Sequence, residues 1–266
     1  MMKVHKRLLA FPFLGSVFIG FLLVLMTSTL AAQTAPDPDS DEGQLEWSLG
    51  GGIVVSPRPY VGADPKVIPI PVIGVDYKRW FFQGIRGGYR LIDQEKWKAN
   101  LFGQMQFKGL EASDSEELEG VNPRRKSIDG GLELIYQGRP VGFRAAFLTD
   151  VLGRNKGQEV ALTAVTGAPL GKVLLLVGAG PRWLSERRVD YYYGVDLDEV
   201  RPGREAYNPG SAWSWDLNIA ARIAFNPKWT FFVLMNREGL GSEIHESPLL
   251  ERTSAYSLVA YLARQF

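Results

Sequence analysis

From Glu46 onward the chain alternates between apolar positions and polar or small ones, and helical periodicity is nearly absent. Between Trp97 and Lys108, one face carries Trp97, Ala99, Leu101, Gly103, Met105 and Phe107. The other carries Lys98, Asn100, Phe102, Gln104, Gln106 and Lys108. Between Ser214 and Phe225 the same split separates Trp215, Leu217, Ile219, Ala221, Ile223 and Phe225 from Ser214, Asp216, Asn218, Ala220, Arg222 and Ala224. Period 2 puts successive side chains on opposite faces of a strand. The pattern predicts eleven strands, near 46–55, 66–77, 81–91, 97–110, 126–137, 141–152, 158–166, 172–185, 213–225, 229–240 and 253–266. Turn chemistry punctuates them: "QGRP" at 137–140, "GAPLGK" at 167–172 and "NPK" at 226–228.

Many of these strands exceed the five or six residues usual in soluble sheets. They suit the roughly 9–11 residues that a tilted strand needs to cross a bilayer. Aromatics stand at their ends, as in the interfacial girdles of a membrane barrel: Trp47, Trp97, Phe107, Tyr136, Trp215, Phe225 and Trp229. The chain stops on Phe266, at the end of an alternating run whose other members on that face are Tyr256, Leu258, Ala260, Leu262 and Arg264. A soluble β-sandwich would alternate too. It would not call for long strands, end-placed rings and a terminal aromatic together. The fold expected is all-β: a closed antiparallel transmembrane β-barrel of 10–12 strands, of outer-membrane type. Eleven is an odd number, whereas single-chain bacterial barrels have even counts, so one segment upstream of residue 97 is miscounted. With Phe266 placed in the periplasm, the outward loops are 241–252, 186–212, 153–157 and 111–125. Phe266 itself is the expected assembly signal, the aromatic that the barrel assembly machinery reads.

The N-terminus modifies this picture. Lys3, Lys6 and Arg7 precede an apolar run and then "TSTLAAQ", the three parts of a secretory signal. The expected signal peptide is 1–31, followed by a flexible periplasmic tail at 32–45 and the barrel at 46–266. Removing three cations from the 30 basic residues leaves 27 against 29 acidic ones, about −2, which offers nothing to a nucleic acid. There is no cysteine, which excludes disulfides, thiol nucleophiles and thiolate metal sites. Histidine falls to His245 alone after the cut.

The polar faces place Arg86, Lys98, Lys108, Asp129, Glu133, Arg144, Asp216 and Arg222 toward the lumen, together with Arg90 and Asp150. They make either a salt-bridged, plugged interior or a small polar channel with walls of mixed sign. A general diffusion pore needs about 16–18 strands, so open diffusion ranks lower. "RVDYYYGVD" at 188–196 stacks Tyr191, Tyr192 and Tyr193, either as packing for the loop on the rim or as a surface contact for a partner. The loop 111–125 holds five acidic side chains, and its plain reading is a solvated loop. "GSEIHESP" at 241–248 puts His245 beside Ser242, Ser247, Glu243 and Glu246. Adjacency in a loop is not a positioned nucleophile and base, so no catalytic residue, metal or cofactor is expected.

Several segments together resemble the MipA/OmpV family of outer-membrane proteins: "SLGGGIVVSPRPYVGAD" (48–64), "VIPIPVIGVDYKRWFFQGIRGGYRL" (67–91), "RRKSIDGGLELIY" (124–136), "YYYGVDLDEV" (191–200) with "YNPGSAWS" (207–214), and "SPLLERTSAYSLVAYLARQF" (247–266). Arg264 departs from the aromatic-rich ending usual there. The resemblance implies residence in the outer membrane of a Gram-negative bacterium, as a monomer among lipid and lipopolysaccharide. It also implies a non-enzymatic scaffold joining a murein-cleaving lytic transglycosylase to a murein synthase. Other members are tied to osmotic response, adhesion or solute passage.

Overall fold

The computed structural model describes residues 45–56 and 58–266. The expected signal peptide and nearly all of the expected tail lie outside the described residues. Among these, twelve antiparallel strands form one closed barrel. They are β1 (Glu46–Ser56), β2 (Lys66–Tyr77), β3 (Trp80–Gln83), β4 (Arg86–Asp93), β5 (Trp97–Gln106), β6 (Ser127–Tyr136), β7 (Val141–Asp150), β8 (Gln158–Leu170), β9 (Val173–Leu184), β10 (Ala212–Ala224), β11 (Trp229–Gly239) and β12 (Ser254–Gln265). Each strand pairs with its neighbour in sequence, and β12 returns to pair with β1.

The expected single strand at 81–91 is two. Gly84, with φ at +65°, turns the chain between Gln83 and Arg86. A positive φ is open to glycine at no steric penalty. This hairpin restores the even count and puts both ends of the described barrel at one rim, here called the terminal rim. The opposite, loop rim carries the long connections.

Because β3 is short, it pairs only with residues 74–77 of β2. The amide of Gly84 donates to Ile73 O at 2.7 Å, so odd-numbered residues of β2 aim their backbone groups toward β3. Pro69 and Pro71 fall on that parity, beyond the end of β3. Proline has no N–H to leave unpaired there. The run "VIPIPV" thus leaves two fewer unpaired donors along the gap in the ladder.

The alternation read from sequence is the alternation seen. In β10, residues 212–220 run strictly buried and exposed in turn. Leu49, Leu101, Leu132, Phe143, Leu162, Leu217 and Met235 all face outward. Rings mark the terminal rim: Trp47 lies flat on Phe266 with centroids 4.1 Å apart, and Trp97 meets Tyr136 at 4.9 Å. The amide of Phe266 donates to Trp47 O at 3.0 Å. The last residue is therefore the final rung between β12 and β1. Arg264 also points outward and lies over the Phe266 ring, 4.7 Å from its centroid, where its stem can run along the rim.

Phe266→Ala should lower the folded fraction of refolded barrel and reduce its unfolding free energy by about 1 kcal/mol from the ring pair alone. Gel mobility of unheated samples and guanidinium unfolding in lipid vesicles would check this. An unchanged yield and midpoint would show that the ring does not help to close the sheet.

Candidate functional site: a sealed lumen and a stitched loop cap

Inward positions of twelve strands converge on a narrow space, and here it is filled in layers. Toward the terminal rim, Val72, Ile135, Val165, Leu176, Phe232 and Tyr261 belong to one buried apolar cluster. Beside it, Glu133 sits between two guanidinium groups. Arg86 Nη2 pairs with Glu133 Oε1, and Arg144 Nε reaches Glu133 Oε2 at 2.8 Å. Asn100 Nδ2 donates to Glu133 Oε1 at 2.8 Å. Arg86 also lies 3.8 Å from the centroid of the Phe102 ring. Arg222 is buried and inward, paired in register with Phe232, which stacks on Tyr261 at 5.3 Å.

Nearer the loop rim, Arg182 is wholly buried. Its Nη2 lies 2.5 Å from Glu238 Oε1, its Nε 3.3 Å from Asp216 Oδ2, and its Nη1 3.8 Å from Glu159 Oε2. Glu159 is shared with Arg188 at 2.9 Å, and Arg188 reaches Asp129 at 2.5 Å. Lys108 Nζ meets Glu238 Oε1 at 3.3 Å and donates to Tyr193 Oη at 3.1 Å. Four carboxylates and three cations thus form one continuous network across the barrel. Isolated charges at such burial would be prohibitive, and pairing with further hydrogen bonds is the way proteins keep them.

Of the charges expected in the lumen, Arg86, Asp129, Glu133, Arg144, Asp216 and Arg222 are buried inside it. Lys98 stands half-buried at the terminal rim on Asp93, 2.9 Å away, and Arg90 pairs with Asp76 there. Asp150 leaves the lumen to cap a turn, accepting the amides of Leu152, Asn155 and Lys156. Sequence reading missed Arg182, Glu159 and Glu238, although each lies on the inward parity of its strand. It also missed Arg188, which reaches the lumen from a loop.

That loop begins with a helix, α1 (Glu186–Tyr193), and continues through residues 194–206, which include a 3-10 turn at Leu197–Glu199, to "YNPG" at 207–210. Val189, Tyr192 and Tyr193 enter a second apolar cluster with Tyr60, Leu118, Ile244 and Leu249. Of the two readings of the tyrosine run, packing of the loop holds for Tyr192 and Tyr193, and the surface contact does not. Tyr192 and Tyr193 are only 3% and 1% exposed, because the helix turns them onto the loop core. Burial holds both phenols above their ordinary range, Tyr192 at about 12. Tyr191 remains half-buried, and its hydroxyl accepts the Arg125 amide at 2.7 Å.

The loop 111–125 is correspondingly part of the cap rather than a free solvated loop. Leu118 and Val121 are buried, and Arg204 donates to Glu117 O and Glu119 O at 2.8 and 2.9 Å. His245 lies on the short helix α2 (Ser242–His245), exposed, with Nδ1 3.1 Å from Gly241 O. The hydroxyl of Ser247 donates to Tyr193 O at 2.5 Å. That bond ties the loop down and draws the hydroxyl away from use as a nucleophile. Among the described residues no group of three or more His, Asp or Glu side chains could hold a metal.

A family model described as MltA-interacting protein MipA matches residues 49–266. The MltA-interacting protein of Escherichia coli (strain K12) is 27% identical over 212 residues, covering 78% of this chain and 85% of that protein. Outer membrane protein OmpV of Vibrio cholerae is 26% identical over 152 residues, covering 57% and 59%. An outer-membrane channel from Pseudomonas putida F1 matches in fold over 87% of this chain and all of that one, at 11% identity and a TM-score of 0.41.

Arg182→Met would leave Glu159, Asp216 and Glu238 facing one another without their shared cation. The expected loss is about 3–5 kcal/mol of unfolding free energy, read by guanidinium unfolding in vesicles. Adding Asp216→Asn and Glu238→Gln to the same chain should restore much of it. A loss below about 1 kcal/mol for the single change would contradict the network as drawn.

Proposed function

The chain belongs to the MltA-interacting protein MipA family and lies in the outer membrane, and from that premise we propose that it is a non-enzymatic adaptor for periplasmic murein-remodelling enzymes. The orientation expected from sequence puts the terminal rim in the periplasm. The observation that carries the reading is the charge of that rim. All five strand connections there expose a cation: Lys78 with Arg79, Lys96, Arg139, Lys172 and Lys228. Glu95 is the one acidic residue within those connections. Short turns on a rigid barrel hold these charges at fixed spacing. Asp76 and Asp93 at the adjoining strand ends are paired with Arg90 and Lys98, so the rim is positive on balance, which draws an acidic partner surface and fixes its approach.

The name of the Escherichia coli relative, MltA-interacting protein, supports a lytic transglycosylase as one partner, and the second partner proposed is a murein synthase. The packed lumen supports the same reading, since it directs function to the rims rather than to a pore. A barrel of this kind works by placing enzymes near each other and near the murein, with no chemistry of its own.

Affinity capture from membrane extract tests this directly. The parent barrel should recover a lytic transglycosylase and a murein synthase. The variant Lys96→Glu, Lys172→Glu, Lys228→Glu should recover at least fivefold less at low salt, where surface charges act over a Debye length of about 10 Å or more. Recovery of no murein enzyme by the parent, under conditions that preserve known complexes, would sink the adaptor reading. Equal recovery by the variant would move the contact away from the rim.

A further inference from the structure

At the loop rim, on the opposite side of the membrane from the proposed adaptor surface, a cavity of about 220 Å³ opens between the turn at 151–157 and helix α1. Its lining includes Arg124, Asn155, Lys156, Arg187, Asp190, Tyr191 and Asp196. Two of these carry polar atoms that are buried and unpartnered. Asn155 is 4% exposed, and its Oδ1 accepts the Gly157 amide at 2.8 Å. That bond fixes the amide's orientation, so Nδ2 is the donor left without an acceptor. Arg124 is 8% exposed; its Nη2 bonds Glu199 Oε2 at 2.8 Å and Gly194 O at 3.1 Å, and its Nη1 bonds Asn122 O at 3.1 Å, leaving Nε unpartnered. Buried donors without acceptors are rare in folded proteins and often mark a missing ligand or water.

The charges around the cavity decide what kind of ligand fits. The positive charge of Arg124 is met by Glu199. What remains is two cations, Lys156 and Arg187, and two carboxylates, Asp190 and Asp196, with no ion pair among them in the described residues. Burial, and next the neighbouring charge of Asp196, push the Asp190 carboxyl above its ordinary range. The walls therefore balance, and neither an anion nor a cation is selected by net field. They offer donors and acceptors side by side, with the Tyr191 ring among them. A neutral ligand bearing several hydroxyls satisfies both kinds at once, since each hydroxyl donates and accepts. At about 220 Å³, the space falls below the roughly 300–1,000 Å³ of a drug-sized site and suits one small unit.

We propose that this cavity binds a single neutral saccharide unit presented at the cell surface. Lys156 and Arg187 donate to ring hydroxyls and Asp190 and Asp196 accept from them, while Arg124 Nε and Asn155 Nδ2 lie shielded behind the lining. The hydroxyl groups can come from a free sugar or from a sugar residue of the surface glycan.

Saturation-transfer NMR on the full barrel tests this, in vesicles or in a detergent without a sugar headgroup. The probes are methyl α-glucoside, methyl β-galactoside, N-acetylglucosamine, an oligosaccharide released from lipopolysaccharide by mild acid, and inorganic phosphate. At least one neutral sugar should show transfer; phosphate, which has no non-exchangeable proton, is read by phosphorus-31 line broadening and should show none. Arg187→Ala and Asp196→Ala, both at exposed positions, should each weaken that binding at least tenfold, while Lys172→Ala at the other rim leaves it unchanged. Heat-modifiable gel mobility confirms that each variant is folded. Tighter binding of the oligosaccharide than of the methyl glycosides assigns the surface glycan as the source; equal binding assigns free sugar. The proposal is overturned if no saccharide binds, if phosphate alone binds, or if the two variants bind like the parent.

Discussion

A strand in hydrocarbon must satisfy its backbone on both edges, and this sheet does so by bringing β12 back to β1. Eight residue pairs, from Ser48 with Gln265 to Val55 with Leu258, make that seam. No water is at hand in the bilayer core to rescue an open edge, so closure is the condition for spanning at all. Other features follow from it. Phe266 extends the seam by one amide and covers it with a ring stacked on Trp47. Gly50 and Gly52 lie along it because a Cβ at either would press within 2.1 and 2.5 Å of carbonyl oxygens of β12. Where the short β3 leaves β2 without a partner, Pro69 and Pro71 delete the donors that closure would otherwise have to reach.

Closing twelve strands also creates an interior too narrow to stay empty. Apolar side chains fill part of it, and two charge networks fill the rest. One is centred on Glu133 between Arg86 and Arg144; the other is centred on Arg182 among three carboxylates. The first carries one excess positive charge, and the second, with Lys108, Arg188 and Asp129 counted, one excess negative charge, so these two networks balance. Above them the loops share a core of their own, in which Tyr60 Oη reaches Tyr192 O at 3.3 Å. The result is a rigid cylinder with its two ends available for contact. The terminal rim is cationic, while the loop rim holds a small pocket of balanced charge.

Strand positions were legible because the period-2 signal survives wherever one face meets lipid. The faces read from Trp97–Lys108 and Ser214–Phe225 are the faces observed. The segment 81–91 misled because a two-residue turn at Gly84 and Ile85 leaves no cluster of turn residues to see. Arg182 was hidden by its context, a Gly-Pro-Arg run late in an apolar strand, although parity alone places it inside with Leu176 and Leu184. Arg188, Tyr192 and Tyr193 could not be placed from sequence. Their positions depend on a loop helix that turns back onto the barrel, and an eight-residue helix has too few turns to announce its buried face.

The central claim is that the lumen is sealed by packed side chains and paired charges, so that the protein acts at its rims. Conductance of the purified, refolded barrel in a planar bilayer tests it most directly. The account predicts a silent membrane from folded protein, with current steps appearing only when the Arg182 network is removed. Discrete, reproducible steps from the unaltered barrel would contradict it and make the lumen charges selectivity determinants of an open channel.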